Sequence, residues 1–341
     1  MSGLRFAMLG TGFWSRFQLA GWQEIPGAKC VALYNRTRSK ATALASEFGI
    51  PAVYDCAEEL LRAEKLDFVD IVTDVSTHAH LVGLAAQHGL PVICQKPLAP
   101  SLEIAQRMLQ QTRDAGVPLF VHENWRWQAP LRRLKAMLDT GICGQIIRAR
   151  IDYANSFPVF ENQPFLKELE QFILIDIGTH ILDASRFLFG EASDLYCQTR
   201  KMHNDIAGED VATVMMRSRD GVTITCNMSY ASRWEFDRFP QTMVAVEGTE
   251  GGVSLGVDYE LRTFGKRGSG SERVELPKYL WADPAYELVH TSIVSCHQNL
   301  FDALTERKLA ETTGEDNLRT LQLVFAAYES AEKGIVVKIE A

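Results

Sequence analysis

The chain has 341 residues, of which 46% are hydrophobic and 23% charged, and its formal net charge is −8. This length can bury the cores of two domains, and the acidic balance argues against nucleic acid or an anionic membrane as the main partner. The seven cysteines lack CxxC pairs and metal-ligand spacing, and no apolar run reaches the ~18 residues that span a bilayer. We therefore expect a cytoplasmic protein with reduced thiols, without a bound metal and without a membrane segment.

Short apolar runs alternate with longer helical patterns along the first part of the chain, which is typical of βαβ units. The predicted strands cover residues 4–10, 30–35, 52–54, 67–73, 91–95 and 118–123. The predicted helices cover residues 15–25, 39–49, 57–64, 77–89 and 102–116. Because parallel strands are buried on both faces, their continuous apolar composition fits an α/β Rossmann domain, which we place at residues 1–122.

The pattern changes after residue 122, where longer strands alternate apolar and polar residues. Strands of this kind are predicted at residues 146–156, 210–218, 222–231 and 241–249, separated by Gly-rich turns. Helices are predicted near residues 178–190 and 314–334. We therefore expect an α+β domain over residues 123–341, built on an open-faced, mostly antiparallel sheet.

The first strand runs into a sequence that is close to the G-x-G-x-x-G dinucleotide fingerprint. It reads Gly10, Thr11, Gly12, Phe13 and Trp14, and it then has a serine in place of the third glycine. In this motif, the glycines permit a tight turn and the close approach of a pyrophosphate, while the following helix supplies N–H donors. A lone G-x-G can be a simple βα turn, but its place after the first strand favours a dinucleotide site.

The end of the second strand bears on which dinucleotide is bound. NAD-binding domains commonly place Asp or Glu there, whereas this chain has Asn35, followed by Arg36 and Arg38. The asparagine would not repel a 2′-phosphate and an arginine could pair with it, so these residues taken alone favour NADP. The arginines could equally stack on adenine or remain solvated, which leaves both cofactors open.

Three chemically active features follow predicted strands or begin a predicted helix. Lys96 ends the fifth strand, residues 73–78 form a loop after the fourth, and Asp176 and His180 are four residues apart. Ligands of open α/β sheets bind at the carboxyl ends of strands, and residues four apart lie on one face of a helix. Each has a structural alternative, such as a helix cap at Asp176 or a packed histidine at His180. Together they favour carbonyl/alcohol redox chemistry.

Nearly the whole sequence resembles the glucose–fructose oxidoreductase/inositol dehydrogenase (Gfo/Idh/MocA) family. The similarity lies in "AMLGTGFWS", the Lys-Pro of "QKPLAPS", "DIGTHILDASRFLFG" and the C-terminal "TTGEDNLRTLQLVFAAYESAEKG". The sequence departs from the family pattern at Gln95, where glutamate is usual, and at Asp74, where proline is usual. The resemblance implies a Rossmann domain followed by an open-faced sheet that carries the substrate pocket and often the oligomer interface.

The resemblance also implies roles for individual residues. His180 would take the hydroxyl proton as hydride leaves, Asp176 would orient it, and Lys96 would stabilise the developing alkoxide. An exchange of roles between His180 and Lys96 stays open. The expected cofactor-binding residues are Gly10, Thr11, Gly12, Phe13, Trp14, Asn35, Arg36, Thr73, His78, Gln95 and Lys96. The expected substrate-binding residues are Lys96, Asn124, Arg126, Asn155, Gln163, Asp176 and His180.

Within the family, "YNRTRSKA", "VICQKP" and "FVHENWRWQ" are most similar to the members that oxidise D-apiose to its lactone with NAD. This similarity favours NAD over NADP and a sugar substrate. An open-faced sheet leaves an apolar surface to cover, so a homodimer or homotetramer is the expected assembly. Other readings remain: an inositol, polyol or aldose dehydrogenase, an NAD-dependent glycosidase, or a non-catalytic NAD-binding regulator.

Overall fold

The computed structural model describes residues 3–156, 159–233, 239–266 and 268–340. The chain divides into two compact units by its internal contacts. The first comprises the residues up to Asn124 together with Ile293–Leu321, and the second comprises Trp125–Ser292 and the residues from Gln322 onward.

The first unit contains a parallel sheet whose described strands follow the spatial order β3-β2-β1-β4-β5-β6. The strands are β1 (Leu4–Leu9), β2 (Ala28–Tyr34), β3 (Ala52–Tyr54), β4 (Phe68–Ile71), β5 (Val92–Gln95) and β6 (Leu119–His122). Strands β4, β5 and β6 are buried almost throughout, as expected for parallel strands covered on both faces. Phe6 and Phe68 stack in this core with ring centroids 4.8 Å apart.

Helices connect these strands as the sequence predicts. They are α1 (Phe13–Gln23), α2 (Arg38–Phe48), α3 (Ala57–Ala63), α4 (His78–Gln87) and α5 (Leu102–Asp114). Local signals set their ends: the Ser101 hydroxyl accepts the N–H of Ile104 at the start of α5, and Gly49 ends α2 with φ 66°. This arrangement brings the carboxyl ends of β1, β4 and β5 to one edge of the sheet.

The second unit contains a mostly antiparallel sheet in the order β14-β13-β12-β11-β7-β10-β9-β8-β15. Its strands are β7 (Ile146–Ala154), β8 (Ala192–Arg200), β9 (Val211–Ser218), β10 (Thr223–Ser229), β11 (Thr242–Gly248), β12 (Gly251–Leu255), β13 (Glu260–Gly265), β14 (Gly270–Arg273) and β15 (Val337–Lys338). The pairing of β10 with β7 is parallel. Residues alternate between buried and exposed along β9, so this sheet has one face in a core and one open face.

The remaining helices are α6 (Ala129–Asp139), α7 (Val159–Asn162), α8 (Thr179–Phe189), α9 (Glu287–Leu304) and α10 (Gly314–Lys333). Both α9 and α10 contribute residues to each unit. The predicted fold class, a Rossmann domain plus an α+β domain with an open-faced sheet, is confirmed. Among the described residues, no helix combines the length and the hydropathy needed to cross a bilayer.

Candidate active site

The loop after β1 has the space and the donors for an anionic group. Gly10 has φ 115°, and a Cβ there would lie 2.4 Å from the carbonyl oxygen of Val72, so only glycine fits. A Cβ at Gly12 would meet no described atom within 4 Å. The buried Thr11 hydroxyl oxygen has no hydrogen-bond partner in the described part of the chain. Because α1 begins directly after Gly12, its N–H groups complete a site suited to a pyrophosphate.

Phe13 and Trp14, both predicted to bind the cofactor, form the first turn of α1. The Phe13 side chain is 37% exposed, and its ring lies edge-on to Trp14 with centroids 5.1 Å apart. Ser15, in the position of the third fingerprint glycine, is fully buried and donates its hydroxyl to the Gly12 carbonyl at 2.5 Å. A small residue therefore maintains the close packing that the fingerprint requires.

Asn35 and Arg36 follow β2 at the position where the adenosine ribose of a dinucleotide is usually held. The backbone N–H of Asn35 donates to the Tyr54 carbonyl at 3.2 Å, and its side-chain amide donates to the Thr37 carbonyl at 3.1 Å. Arg36 is exposed. The Arg38 guanidinium lies 3.6 Å from the carboxylate of Asp55.

The loop after β4 is held by its own polar side chains. The Asp74 carboxylate accepts the N–H of Ser76 at 2.9 Å, and the Thr77 hydroxyl donates to the Thr73 hydroxyl at 2.7 Å. His78 is buried, with its two ring nitrogens each 3.2 Å from a carbonyl oxygen, those of Leu98 and Thr73. Burial lowers the pKa of His78, while these carbonyls act to raise it. The ring thus links the loop after β4 to the segment after Lys96.

Lys96 follows β5 and is half-buried, and its peptide bond to Pro97 is cis. The side-chain oxygen of Gln95 accepts the backbone N–H of Lys96 at 2.9 Å. Since Gln95 pairs with His122 in the parallel register of β5 and β6, Glu123 is the residue beside Lys96 at the next strand end. Glu123 is fully buried. This carboxylate was not among the predicted site residues, although it ends the strand predicted at residues 118–123.

In the second unit, Asp176 and His180 lie on either side of the junction between a π-helical turn and α8. Asp176 belongs to a π-helical turn at Leu174–Gly178, and His180 lies in the first turn of α8. Asp176 is therefore inside the helical segment rather than at its cap. The Glu209 carboxylate accepts the N–H groups of Phe172 and Leu174 and so fixes the start of this turn. Single π-helical turns are rare and are frequent at functional sites.

Buried aromatic rings surround this pair of residues. The Tyr230 hydroxyl donates to the Asp176 carboxylate at 3.0 Å, and its ring stacks on Phe172. Burial and the charge of Asp176 raise the pKa of Tyr230 well above its ordinary value, so this hydroxyl remains a donor. The Trp125 ring stacks on the His180 imidazole with centroids 4.3 Å apart. Tyr230 follows β10, which pairs in parallel with β7. The sequence placed Tyr230 inside a strand predicted at residues 222–231 and carried no signal that it meets Asp176.

Arg126 is bound to a partner that the sequence analysis did not identify. Its guanidinium donates to both carboxylate oxygens of Asp183, at 2.7 and 2.5 Å, and both side chains are almost fully buried. Arg186 lies 3.7 Å from Asp183 and also pairs with Glu191 at 2.7 Å. This network gives Arg126 a structural role in the second unit.

The other predicted substrate residues lie at different places in the two units. Asn124 is buried after β6 in the first unit. Asn155 follows β7 in the second unit, is fully buried, and donates its backbone N–H to the Ser229 carbonyl at 3.1 Å. Gln163 is half-buried and precedes the 3-10 turn at Pro164–Glu168. No cluster of three or more metal-binding side chains occurs among the residues whose placement is described.

Comparison with known proteins identifies two family regions. A family described as an oxidoreductase family with an NAD-binding Rossmann fold matches residues 4–123. The GFO/IDH/MocA C-terminal domain matches residues 131–254.

Several relatives are similar along nearly their full length. The D-apiose dehydrogenase of Paraburkholderia graminis is 41% identical, covering 98% of this chain and 89% of the relative. The D-apiose dehydrogenase of Rhizobium rhizogenes is 37% identical, covering 100% and 99%. An oxidoreductase from Agrobacterium radiobacter, solved with NAD+, L-tartaric acid and magnesium, superimposes with a TM-score of 0.96 at 37% identity, covering 98% of each chain.

Proposed function

We propose a substrate and residue roles from the premise that this chain belongs to the Gfo/Idh/MocA family of NAD-binding oxidoreductases. It is an NAD(P)-dependent oxidoreductase that acts on CH–OH groups, and NAD is its cofactor. The open loop at Gly12 and the buried Thr11 hydroxyl fit such a dinucleotide.

The proposed reaction is the oxidation of D-apiose to its lactone in pentose catabolism. Support for the substrate comes from two relatives named D-apiose dehydrogenase that align with 98% and 100% of this chain. A hemiacetal C1 loses hydride and its hydroxyl loses a proton, which leaves the carbonyl of the lactone. NAD+, held at the loop after β1, would supply the hydride acceptor.

The observation that carries the catalytic assignment is the fixed histidine at the start of α8. His180 is the proposed base, since a buried imidazole held against Trp125 can receive a proton without changing its orientation. Asp176, with a donor from Tyr230, is proposed to orient the reacting groups. Lys96 is proposed to stabilise negative charge that develops on the substrate oxygen and to contact the nicotinamide ribose.

Binding of the sugar is proposed to use amide and charged side chains. Asn124, Asn155 and Gln163 offer both donors and acceptors, as hydroxyl groups require. Arg126 is the weakest of the earlier substrate assignments, because its guanidinium already donates twice to Asp183.

The test is a steady-state assay of NADH formation with D-apiose, other pentoses and myo-inositol. We expect turnover to be best with D-apiose, and His180→Ala and Lys96→Met to lose about 10²- to 10⁴-fold in kcat. His80→Ala, at an exposed histidine of α4, is the matched control. Full activity in both variants would overturn the catalytic assignment, and equal or better turnover with myo-inositol would overturn the substrate.

A cytoplasmic location and a homodimer or homotetramer complete the proposal. No disulfide joins any of the seven cysteines, all of which lie in the described part of the chain, and this suits a reducing compartment. Exposed apolar side chains such as Met215 and Phe264 lie on strands of the open-faced sheet, where a second subunit would cover them. Sedimentation of the purified protein would measure the assembly, and a monomer at micromolar concentration would exclude it.

A further inference from the structure

We propose that Asp55 and Asp74 make this chain select NAD over NADP, because their carboxylates repel a 2′-phosphate and because Asp55 already pairs with Arg38, a cation that would otherwise bind it. This inference goes beyond the proposed reaction, because it concerns only the adenosine end of the cofactor. It rests on the dinucleotide loop and not on the identity of the catalytic base.

The first observation is the ion pair beside the end of β2. Tyr34 and Tyr54 are partners in the parallel register of β2 and β3, so Asp55 is placed next to Asn35. The Asp55 carboxylate lies 3.6 Å from the Arg38 guanidinium. The cation that would meet a 2′-phosphate at this strand end therefore already has an anionic partner.

Asp74 lies on the other side of β1 from Asp55. Strands β2 and β4 flank β1, so Arg36 and Asp74 follow the two strands beside the dinucleotide loop. The hydrogen bond from Ser76 is the main cause that lowers the pKa of Asp74; burial opposes it, and the charge of Arg36 also acts to lower this pKa. Asp74 thus stays ionised at the edge of the sheet where Arg36 and the dinucleotide loop also lie.

These carboxylates act differently on the two cofactors. A 2′-phosphate carries close to two negative charges and would enter a region with two fixed negative charges. The ribose hydroxyl of NAD has no such charge and can donate a hydrogen bond to an oxygen acceptor. Because the Arg38–Asp55 pair is exposed, its attraction is weak in water, and the discrimination comes mainly from repulsion of the phosphate.

The test is calorimetric titration of the purified protein with NAD+ and with NADP+, in the absence of sugar. Asp55→Asn is expected to improve the affinity for NADP+ relative to NAD+ by about threefold to tenfold, and Asp55→Asn/Asp74→Asn by more. Asp74→Asn retains a side-chain oxygen for the Ser76 N–H, so the loop should keep its shape. Adding Arg38→Gln to Asp55→Asn should remove only the part of the gain that comes from Arg38, and the part that comes from relieved repulsion should remain. The gain should also shrink as salt is added.

Glu58→Gln is the matched control, because Glu58 forms a comparable exposed pair with Arg62, at 2.7 Å on α3. It changes the net charge by the same amount and should leave the ratio of the two affinities unchanged. The proposal is overturned if the double variant keeps the wild-type ratio within about twofold, or if Glu58→Gln shifts the ratio equally.

Discussion

Trp125 covers one face of the His180 imidazole, with the ring planes 18° apart and the centroids 4.3 Å apart. The indole is itself held by a hydrogen bond from its Nε1 to the Thr242 hydroxyl at 3.1 Å, and it is only 2% exposed. The next residue, Arg126, binds Asp183, which lies three residues after His180 on α8. The adjacent residues Trp125 and Arg126 therefore contact His180 and Asp183 on one face of α8. These two contacts fix the position of the proposed base.

We expect Trp125→Leu to lower kcat by about tenfold to a hundredfold, because the imidazole loses the flat surface that sets its orientation. Trp125→Phe should retain most of the activity, since a phenyl ring can still stack. Steady-state kinetics with sugar and NAD+ would measure both. The Kd of NAD+ should be unchanged in both variants.

Trp127→Leu is a suitable control, because the Trp127 ring packs on the Arg132 guanidinium at 4.3 Å instead. An equal loss of kcat in Trp127→Leu and Trp125→Leu would indicate a general loss of packing and would contradict the orienting role.

The buried Arg126–Asp183 pair should be important for stability. We expect Arg126→Met to lower the free energy of unfolding by about 3–5 kcal/mol, since it leaves the Asp183 carboxylate buried beside fewer donors. Urea denaturation followed by circular dichroism would measure this. Arg148→Met breaks the exposed Arg148–Glu247 pair and should change stability little. If both variants lost a similar free energy of unfolding, burial would not explain the contribution of the Arg126–Asp183 pair to stability.

Gly10 and Gly12 should respond differently to alanine. Gly12→Ala should leave the melting temperature unchanged, because the added methyl group meets no described atom, but should weaken NAD+ binding by on the order of tenfold or more. Gly10→Ala should lower the melting temperature, since its φ of 115° and the Val72 carbonyl both oppose a side chain. Unaltered NAD+ affinity in Gly12→Ala would exclude the loop as the pyrophosphate site.

Because of Asp70, the free energy of unfolding should fall as pH rises, which is the opposite of the usual effect of a carboxyl group. Burial raises its pKa to about 7, although the Trp22 indole donates to it and acts to lower the pKa. The folded state then holds a proton that the unfolded state releases near pH ~4. The stabilisation is therefore complete below about pH 4 and is lost as pH rises through about 7, by up to about 4 kcal/mol.

Asp70→Asn cannot ionise and should gain stability relative to the wild type as pH rises from about 4 to 8. Urea denaturation at several pH values would show the two stability curves diverging. Asp114→Asn, at an exposed residue near the end of α5, should follow the wild-type curve. A difference between Asp70→Asn and the wild type that does not vary with pH would show that this carboxyl does not titrate in the range.

The sequence by itself determined the order of the two folding patterns and the position of the glycine-containing loop after β1. Continuous apolar runs at β4 and β5 predicted buried parallel strands, and the alternation along β9 predicted an open-faced sheet. These predictions succeeded because residue periodicity is a local property, set by the geometry of a strand or a helix. The residues at strand ends followed from the same pattern, which is why Lys96 was identified.

Only the tertiary structure decided which side chains meet. Trp125 and His180 are 55 positions apart, Arg126 and Asp183 are 57 apart, and Tyr230 and Asp176 are 54 apart. No local pattern encodes such pairs, because they depend on strand register and on the packing of α8. For the same reason, the sequence predicted Arg126 as a sugar contact, whereas in the structure its guanidinium pairs with Asp183. Spacing along the chain identified the residues with suitable chemistry, and packing between distant segments set their partners.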